Sequence, residues 1–171
     1  MPIGRKQERS YGYVLTLRSK DRIMGNSNNF VVQLPSAFAV TSENYLIKLI
    51  NAHIPLPQYT TNTNATHLLR TGGVEILADF GAKTNSLDTS RGGMQSYGFT
   101  KMPEGVITSQ STALVNDGEK PTHIVSNPNF QNIRCQLKDS DGNLLLSYAV
   151  SDGATAFPPN CVLQFLFEPI A

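Results

Sequence analysis

The three histidines are the side chains of this sequence best suited to binding a metal ion or exchanging protons near neutral pH. A metal site in a β-barrel enzyme of the jelly-roll type needs two histidines one residue apart and a third later in the chain. His53, His67 and His123 are scattered, and no two of them have that spacing. We therefore interpret each as a surface or hydrogen-bonded core histidine and predict no metal site.

The segment Asp139-Ser140-Asp141-Gly142-Asn143 superficially resembles the start of a calcium-binding loop. Such a loop has its glycine at the sixth position and a bidentate glutamate at the twelfth. Here the glycine comes too early, and Val150 occupies the position of the glutamate. Because glycine and asparagine tolerate positive φ angles, the segment predicts a hairpin turn between two strands.

The chain lacks the sequence motifs typical of nucleophilic catalysis, zinc binding and phosphate binding. It contains no G-x-S-x-G, no H-E-x-x-H and no G-x-x-x-x-G-K-[ST]. Gly72-Gly73 and Gly92-Gly93 precede no plausible helix, so they predict turns. We predict that the chain is not an enzyme and uses no cofactor.

An alternation of period two recurs along the sequence and has no competing helical period. Cys161, Leu163, Phe165 and Phe167 share one face of the last predicted strand, and 133–138 alternates in the same way. Successive side chains of a strand point to opposite sides, so these runs predict sheet segments with one apolar face. Cys135 and Cys161 lie on such faces and are interpreted as small core residues. A disulfide between neighbouring strands is the alternative.

About eight strands are predicted, separated by turns at the spacing typical of a β-sandwich or jelly roll. Residues 45–54 form the longest, and its apolar residues on both faces predict that it is covered on both sides. Residues 19–29 predict a polar loop. Residues 81–105 predict an irregular, exposed insertion with a strand near residues 97–100.

Basic residues concentrate at the N-terminus, although the whole chain has a net charge of only +1. The first 22 residues carry a net charge of +4 and the remainder −3. Residues 1–10 are predicted to form a basic arm, with Arg5, Lys6 and Arg9 as candidate partner contacts. A solvated terminus is the alternative. Residues 11–171 are predicted to form a single domain.

Membrane and nucleic-acid functions are not expected. No apolar run approaches the roughly 18 residues of a membrane-spanning helix. The small net charge gives no general attraction to nucleic acid. Every second residue from 11 to 17 is apolar or aromatic, namely Tyr11, Tyr13, Leu15 and Leu17. This pattern predicts a core face rather than a platform for stacking bases.

Several short motifs resemble a known family. They are Ser19-x-Asp21-Arg22, Asn28-Asn29-Phe30-x-Val32-x-Leu34-Pro35, Leu46 to Leu49 leading into Ile54-Pro55 and Tyr59, and the later hairpin with Asp139-x-x-Gly142. With these motifs the chain resembles the penton, or five-fold vertex, proteins of virophages and large eukaryotic DNA viruses in the double-jelly-roll capsid lineage. The match covers the first 60 residues loosely and the last 40 more weakly.

That resemblance implies an all-β fold, a single jelly-roll β-sandwich of about eight antiparallel strands with a short N-terminal arm. It also implies a capsid protein, assembled in the host cytoplasm, whose homopentamers close the vertices of a double-stranded DNA virus particle. Its partners would be its own copies, the surrounding major capsid protein trimers and minor capsid proteins, and the basic arm would run under the shell. At 171 residues the chain can hold one barrel but not two.

Two other functions are compatible with the sequence. One is a minor coat or cement protein of the same kind of particle. The other is a receptor- or glycan-binding sandwich. Sugar sites usually place aromatic side chains on loops, whereas this chain has no Trp and most of its Phe and Tyr lie within strand patterns.

Overall fold

The computed structural model describes residues 12–34, 44–55, 73–81, 94–101, 112–113, 122–128, 131–138, 142–145, 147–148, 155–156 and 160–170. These ranges contain twelve strands and one 3-10 turn at Ser19–Asp21. The strands are β1 (Tyr13–Arg18), β2 (Met24–Asn26), β3 (Asn29–Val32), β4 (Asn44–Pro55), β5 (Gly73–Asp79), β6 (Gln95–Lys101), β7 (Thr112–Ala113), β8 (Thr122–Ser126), β9 (Ile133–Lys138), β10 (Ser147–Tyr148), β11 (Thr155–Ala156) and β12 (Val162–Ile170). Within the same ranges, no helix has the length and apolar character needed to span a bilayer.

Ten of these strands form two antiparallel sheets. Sheet 1 has the order β1-β12-β4, and β8 and β7 pair successively along the remaining edge of β4. Sheet 2 has the order β2-β3-β9-β5-β6, while β10 and β11 pair with each other. The four shortest strands are β2, β7, β10 and β11. When the other eight are renumbered 1 to 8 in chain order, sheet 1 has the order 1-8-3-6 and sheet 2 has the order 2-7-4-5. This is the double Greek key of a jelly roll, and it confirms the predicted fold class.

The inner faces of the two sheets form one hydrophobic core. The alternation in β9 and β12 is confirmed, because Cys135, Leu163, Phe165 and Phe167 are all buried whereas Arg134 is exposed. In β1, Leu15 and Leu17 are buried as expected, but Tyr13 is 38% exposed at the start of the strand. Tyr11 lies outside the described residues.

Aromatic rings join the two sheets at the centre of the core. Phe80 directly follows β5 of sheet 2, and its ring centroid lies 5.1 Å from those of both Phe165 and Phe167 on β12. Tyr97 of β6 lies 5.3 Å from Phe165, and Tyr45 of β4 lies 6.1 Å from Phe167. All four contacts are edge-to-face, the geometry in which the positive edge of one ring meets the negative face of another.

The prediction that β4 is covered on both faces is wrong. In the β12–β4 register Gln164 pairs with Asn51 and Phe165 with Leu49, so Ile50 is an extra residue in a β-bulge. The bulge reverses the alternation halfway along the strand, and Leu49 and Ala52 therefore both face the core. A strict period of two, which ignores the bulge, assigns Leu49 and Ala52 to opposite faces, and the prediction was wrong for that reason.

Other segments also differ from the prediction. Residues 19–29 form the 3-10 turn and β2, which pairs with β3 in a hairpin rather than remaining a polar loop. Leu144 makes an isolated bridge to Lys138, and the next described strand, β10, pairs with β11 rather than with β9. The strand predicted near residues 97–100 is present as β6, an edge strand of sheet 2. The remainder of the predicted insertion, residues 82–93 and 102–105, lies outside the described residues.

Gly25 and Gly142 form a matched pair for testing the β2–β3 turn. Both have positive φ, +89° and +83°, but a Cβ at Gly25 would lie 2.1 Å from the Asn29 carbonyl oxygen while one at Gly142 meets nothing within 4 Å. We expect Gly142→Ala to lower the free energy of unfolding by about 1–2 kcal/mol through backbone strain alone. Gly25→Ala should cost at least about 3 kcal/mol or prevent folding. Urea denaturation measures both, and equal losses would contradict the clash.

Candidate functional site

The sequence-predicted contact residues Arg5, Lys6 and Arg9 lie outside the described residues. The structure therefore leaves their role as a prediction. Two other kinds of site concern the described part of the chain, a cluster of reactive side chains and a surface suited to another macromolecule.

The two described histidines occupy opposite faces of sheet 1. His53 is exposed on the outer side of β4, while His123 of β8 faces inward. The Nε2 atom of His123 lies 2.6 Å from the Ser96 carbonyl oxygen, and its ring packs edge-on against Tyr97 at 4.8 Å. His123 thus joins an edge strand of sheet 1 to an edge strand of sheet 2. His67 lies outside the described residues.

The described ranges bring no three His, Cys, Asp or Glu side chains together as a metal site. Cys135 and Cys161 are buried and unbonded, as predicted for small core residues. Burial raises the pKa of the Cys135 thiol well above its usual range. Burial also raises the pKa of Cys161 to about 11, although hydrogen bonding with Ser19 partly offsets it. Both thiols therefore stay protonated near neutral pH, which makes them poor nucleophiles and poor metal ligands.

Hydrogen bonds lock the corner between β1 and β2 against the start of β12. The Ser19 hydroxyl accepts from the Cys161 amide at 2.9 Å and donates to Asn160 Oδ1 at 3.1 Å. The Arg22 guanidinium donates to the Ser19 carbonyl at 2.8 Å, to Asn160 Oδ1 at 3.2 Å and to the Gly25 carbonyl at 3.1 Å. The guanidinium thus bridges three segments of chain, which gives it a structural role.

A second buried contact holds the β2–β3 turn. Asn28 is 2% exposed, and its side-chain amide donates to the Leu145 carbonyl at 2.7 Å. The Asn28 carbonyl accepts from the Leu137 amide at 2.8 Å. Ser19, Arg22 and Asn28 all belong to the motifs on which the family resemblance rests. Sequence reasoning identified these residues but not their role in fixing the ends of strands.

The outer face of sheet 1 carries an apolar band that crosses four strands. Val14 of β1 lies opposite Leu166 of β12, and Leu46 of β4 lies opposite Ile124 of β8. The two leucines are diagonal neighbours on β12 and β4, within reach of each other on one sheet face. Val14 and Ile124 are 56% and 66% exposed, and the leucines are half-buried. We call these four residues the outer band.

Polar side chains within and around the outer band are bonded to one another. The contacts are Gln164 Nε2 to Thr16 Oγ1 (3.3 Å), Asn51 Nδ2 to Gln164 Oε1 (3.2 Å), Ser126 Oγ to Asn44 Oδ1 (2.6 Å) and the ion pair Lys48 Nζ to Glu168 Oε2 (3.6 Å). In the β12–β4 register Lys48 lies opposite Leu166 and Glu168 opposite Leu46, so their ion pair lies between the two leucines and divides the band into two apolar pairs, Val14 with Leu166 and Leu46 with Ile124. Apolar side chains interspersed with polar ones are typical of non-obligate protein–protein interfaces. The outer face of sheet 1 is therefore the candidate functional site.

Comparison with known proteins adds no identification. No protein-family model matches this sequence, and no curated protein is significantly similar to it.

Burial of Cys161 predicts a loss of stability at alkaline pH. The thiol ionises with its ordinary pKa of 9.0 in the unfolded chain but with a pKa of about 11 in the folded one, so stability is complete below pH 9 and falls between 9 and 11. By pH 10.5 this thiol should account for about 2 kcal/mol of lost unfolding free energy. Urea denaturation at pH 8 and 10.5 measures the loss, and Cys161→Ala should show a smaller one. An identical loss in the variant would contradict this assignment.

Proposed function

We propose that this chain is a structural protein of a double-stranded DNA virus particle, whose homopentamers close the icosahedral vertices. The observation that carries the proposal is a jelly-roll strand order combined with exposed apolar side chains on the outer face of sheet 1. Jelly rolls are a recurring architecture of viral capsid proteins. The vertex-protein motifs at Ser19, Arg22 and Asn28 add support, because these residues fix the corners of the barrel.

A closed five-fold ring has specific physical requirements. Each subunit needs two different contact patches, because only heterologous contacts close into a ring of five. A net charge of +1 per chain limits the repulsion that accumulates among five copies. The proposed partners are other copies of the chain, the major capsid protein trimers around the vertex and minor capsid proteins. The proposed location is the virion, after assembly in the host cytoplasm.

Within the described residues, the placement of aromatic side chains favours a structural role over glycan binding. Sugar-binding sites usually present exposed aromatic faces, but six aromatic side chains in the described strands and turns are fully buried. They are Phe30, Tyr45, Phe80, Tyr97, Phe165 and Phe167. Among the aromatic residues whose burial the structure describes, only Tyr13 is exposed, at 38%. The positions that the chain occupies in the particle distinguish a vertex role, on the five-fold axes, from a minor coat or cement role elsewhere in the shell.

Native mass spectrometry of the purified chain tests the ring directly. Five copies of an 18.7 kDa chain should give a species of about 94 kDa. Electron microscopy of particles that contain the chain should then place its density on the five-fold axes alone. Density at other positions of the shell would instead indicate a minor coat or cement protein. A stable monomer or trimer, together with particles lacking the chain at their vertices, would contradict the proposal.

The basic arm is proposed to attach the ring to the shell rather than to form it. The triple variant Arg5→Ala/Lys6→Ala/Arg9→Ala should retain the 94 kDa species, because the arm precedes the folded barrel. Its incorporation into particles should fall at least about tenfold, since charge-assisted contacts would be lost. Quantitative immunoblotting of purified particles measures the change. Matched Lys→Arg and Arg→Lys substitutions keep the charge and should preserve incorporation, and equal incorporation of all variants would contradict this role.

A further inference from the structure

Most edge strands in the described part of the chain have features that oppose pairing with a further strand. β2 and β7 have only three and two residues. β6 contains a bulge at Tyr97. β8 is linked to β6 through the hydrogen bond between His123 and the Ser96 carbonyl. Short edges, bulges and covered edges are the usual means by which proteins prevent the addition of another strand.

The edge strand β1 has none of these features. It has six residues and pairs with β12 in one unbroken register. Its only charged residue is Arg18, at the end of the strand. No described strand pairs with β1 on the side away from β12. Among the described edges, β1 is therefore the one best suited to accept another strand.

The hydrogen bonds to β12 show which backbone groups of β1 point away from the sheet. The Ser19 amide donates to the Cys161 carbonyl at 3.0 Å, one step beyond the last pair of the β1–β12 register. In an antiparallel pair, residues that exchange hydrogen bonds with the partner strand alternate with residues that do not. Leu15 and Leu17 therefore bond to β12, whereas the N–H and C=O groups of the residues between and beside them point outward. These residues are Val14, Thr16 and Arg18, and we call their backbone groups the open edge.

The open edge defines the chemistry of a complementary partner. An extended polypeptide presents carbonyl and amide groups at the same repeat of about 6.8 Å. Within the described residues Arg18 is exposed and makes no ion pair, so an acidic residue fits best opposite it. Leu15 is 7% exposed at the rim of the core, so an apolar residue fits best beside it. The expected partner is thus an extended segment that combines an acidic residue with apolar ones.

We propose that the open edge receives an extended segment of a neighbouring capsid polypeptide, which adds to sheet 1 as an antiparallel strand. The inference rests on the proposed function and names one contact by which the shell holds the vertex protein. The described pairings of sheet 1 are all antiparallel, and this direction lets each residue of the open edge exchange two hydrogen bonds with the added strand. A second copy of β1 fits less well, because β1 has no acidic residue to place opposite Arg18.

Residue-resolved hydrogen exchange tests for the added strand. In the purified chain the amides of Leu15 and Leu17 should exchange at least about 100-fold more slowly than those of the open edge, because only the former are bonded to β12. In intact particles the amides of the open edge should slow by at least about 100-fold. A partner that covers β1 through side chains alone makes no bonds to these amides and should leave them exchanging fast, which would overturn the proposal.

Proline at position 14 removes one donor of the open edge without removing a bond to β12. The Val14→Pro variant should retain the species of about 94 kDa, but its incorporation into particles should fall at least about tenfold. The matched variant Val14→Thr keeps the N–H group and the β-branched shape, so it should be incorporated as well as the unmodified chain. Quantitative immunoblotting of purified particles measures both, and equal incorporation would overturn the proposal.

Charge at Arg18 gives a second test, which does not depend on the folding of the proline variant. Arg18→Glu places like charges opposite each other across the open edge, so incorporation into particles should fall at least about tenfold. Arg18→Lys keeps the charge and should preserve incorporation. Because Arg18 is exposed and makes no ion pair with a described residue, neither change should alter the ring. Equal incorporation of the two variants would overturn the acidic partner strand.

The outcomes separate this inference from the proposed function. Fast exchange of the open edge in particles that carry the chain at their vertices would overturn the added strand but leave the vertex role intact. Slow exchange already in the purified chain, and slower at higher concentration, would overturn it in favour of pairing between two copies of β1. Absence of the chain from particle vertices would overturn the proposed function itself, whatever the exchange rates in the purified chain.

Discussion

Edge-to-face packing of aromatic rings between the sheets is the interaction on which the rest of the structure depends. Phe80 emerges where β5 ends and contacts Phe165 and Phe167 of β12. Because β12 lies between β1 and β4, this contact fixes the middle of sheet 1 against sheet 2. Each such ring pair adds about 0.5–1.5 kcal/mol beyond the burial of its area. Among the described strands, the core is therefore built from the inner faces of the two sheets.

Two β-bulges make this packing compatible with long strands. The bulge at Ile50 switches the inward-facing positions of β4 from odd to even, so that Leu49 before it and Ala52 after it both face the core. In β6, Gly98 pairs with Ile76 and Ser96 with Leu77, so Tyr97 is the extra residue and its ring enters the aromatic cluster. The same irregularity brings the Ser96 carbonyl to His123 of β8. One carbonyl of the β6 edge strand is thereby bonded by a side chain.

Period-two alternation was sufficient to predict the fold class and the buried faces of β9 and β12, because a regular strand places every second residue on the core side. The alternation did not predict the buried face of β4, because the extra residue Ile50 shifts the buried positions by one. Nothing in the local sequence distinguishes Ile50 from its neighbours. The outer band could not be predicted for a related reason. Val14, Leu46, Ile124 and Leu166 come from four distant segments, and only the register of the sheet brings them together. The roles of Ser19 and Arg22 depend on a contact with Asn160, which alternation does not predict.

Several polar side chains in the described part of the chain hold the barrel rigid. His123 joins the edge strands of the two sheets, and Ser19 and Arg22 lock a corner. Rigidity has a direct consequence for the proposed ring. Each interface must set a rotation of about 72°, and a change of only about 12° per contact would give six copies instead of five. A barrel free to flex would therefore permit rings of different size, whereas one whose corners are fixed favours a single closure angle.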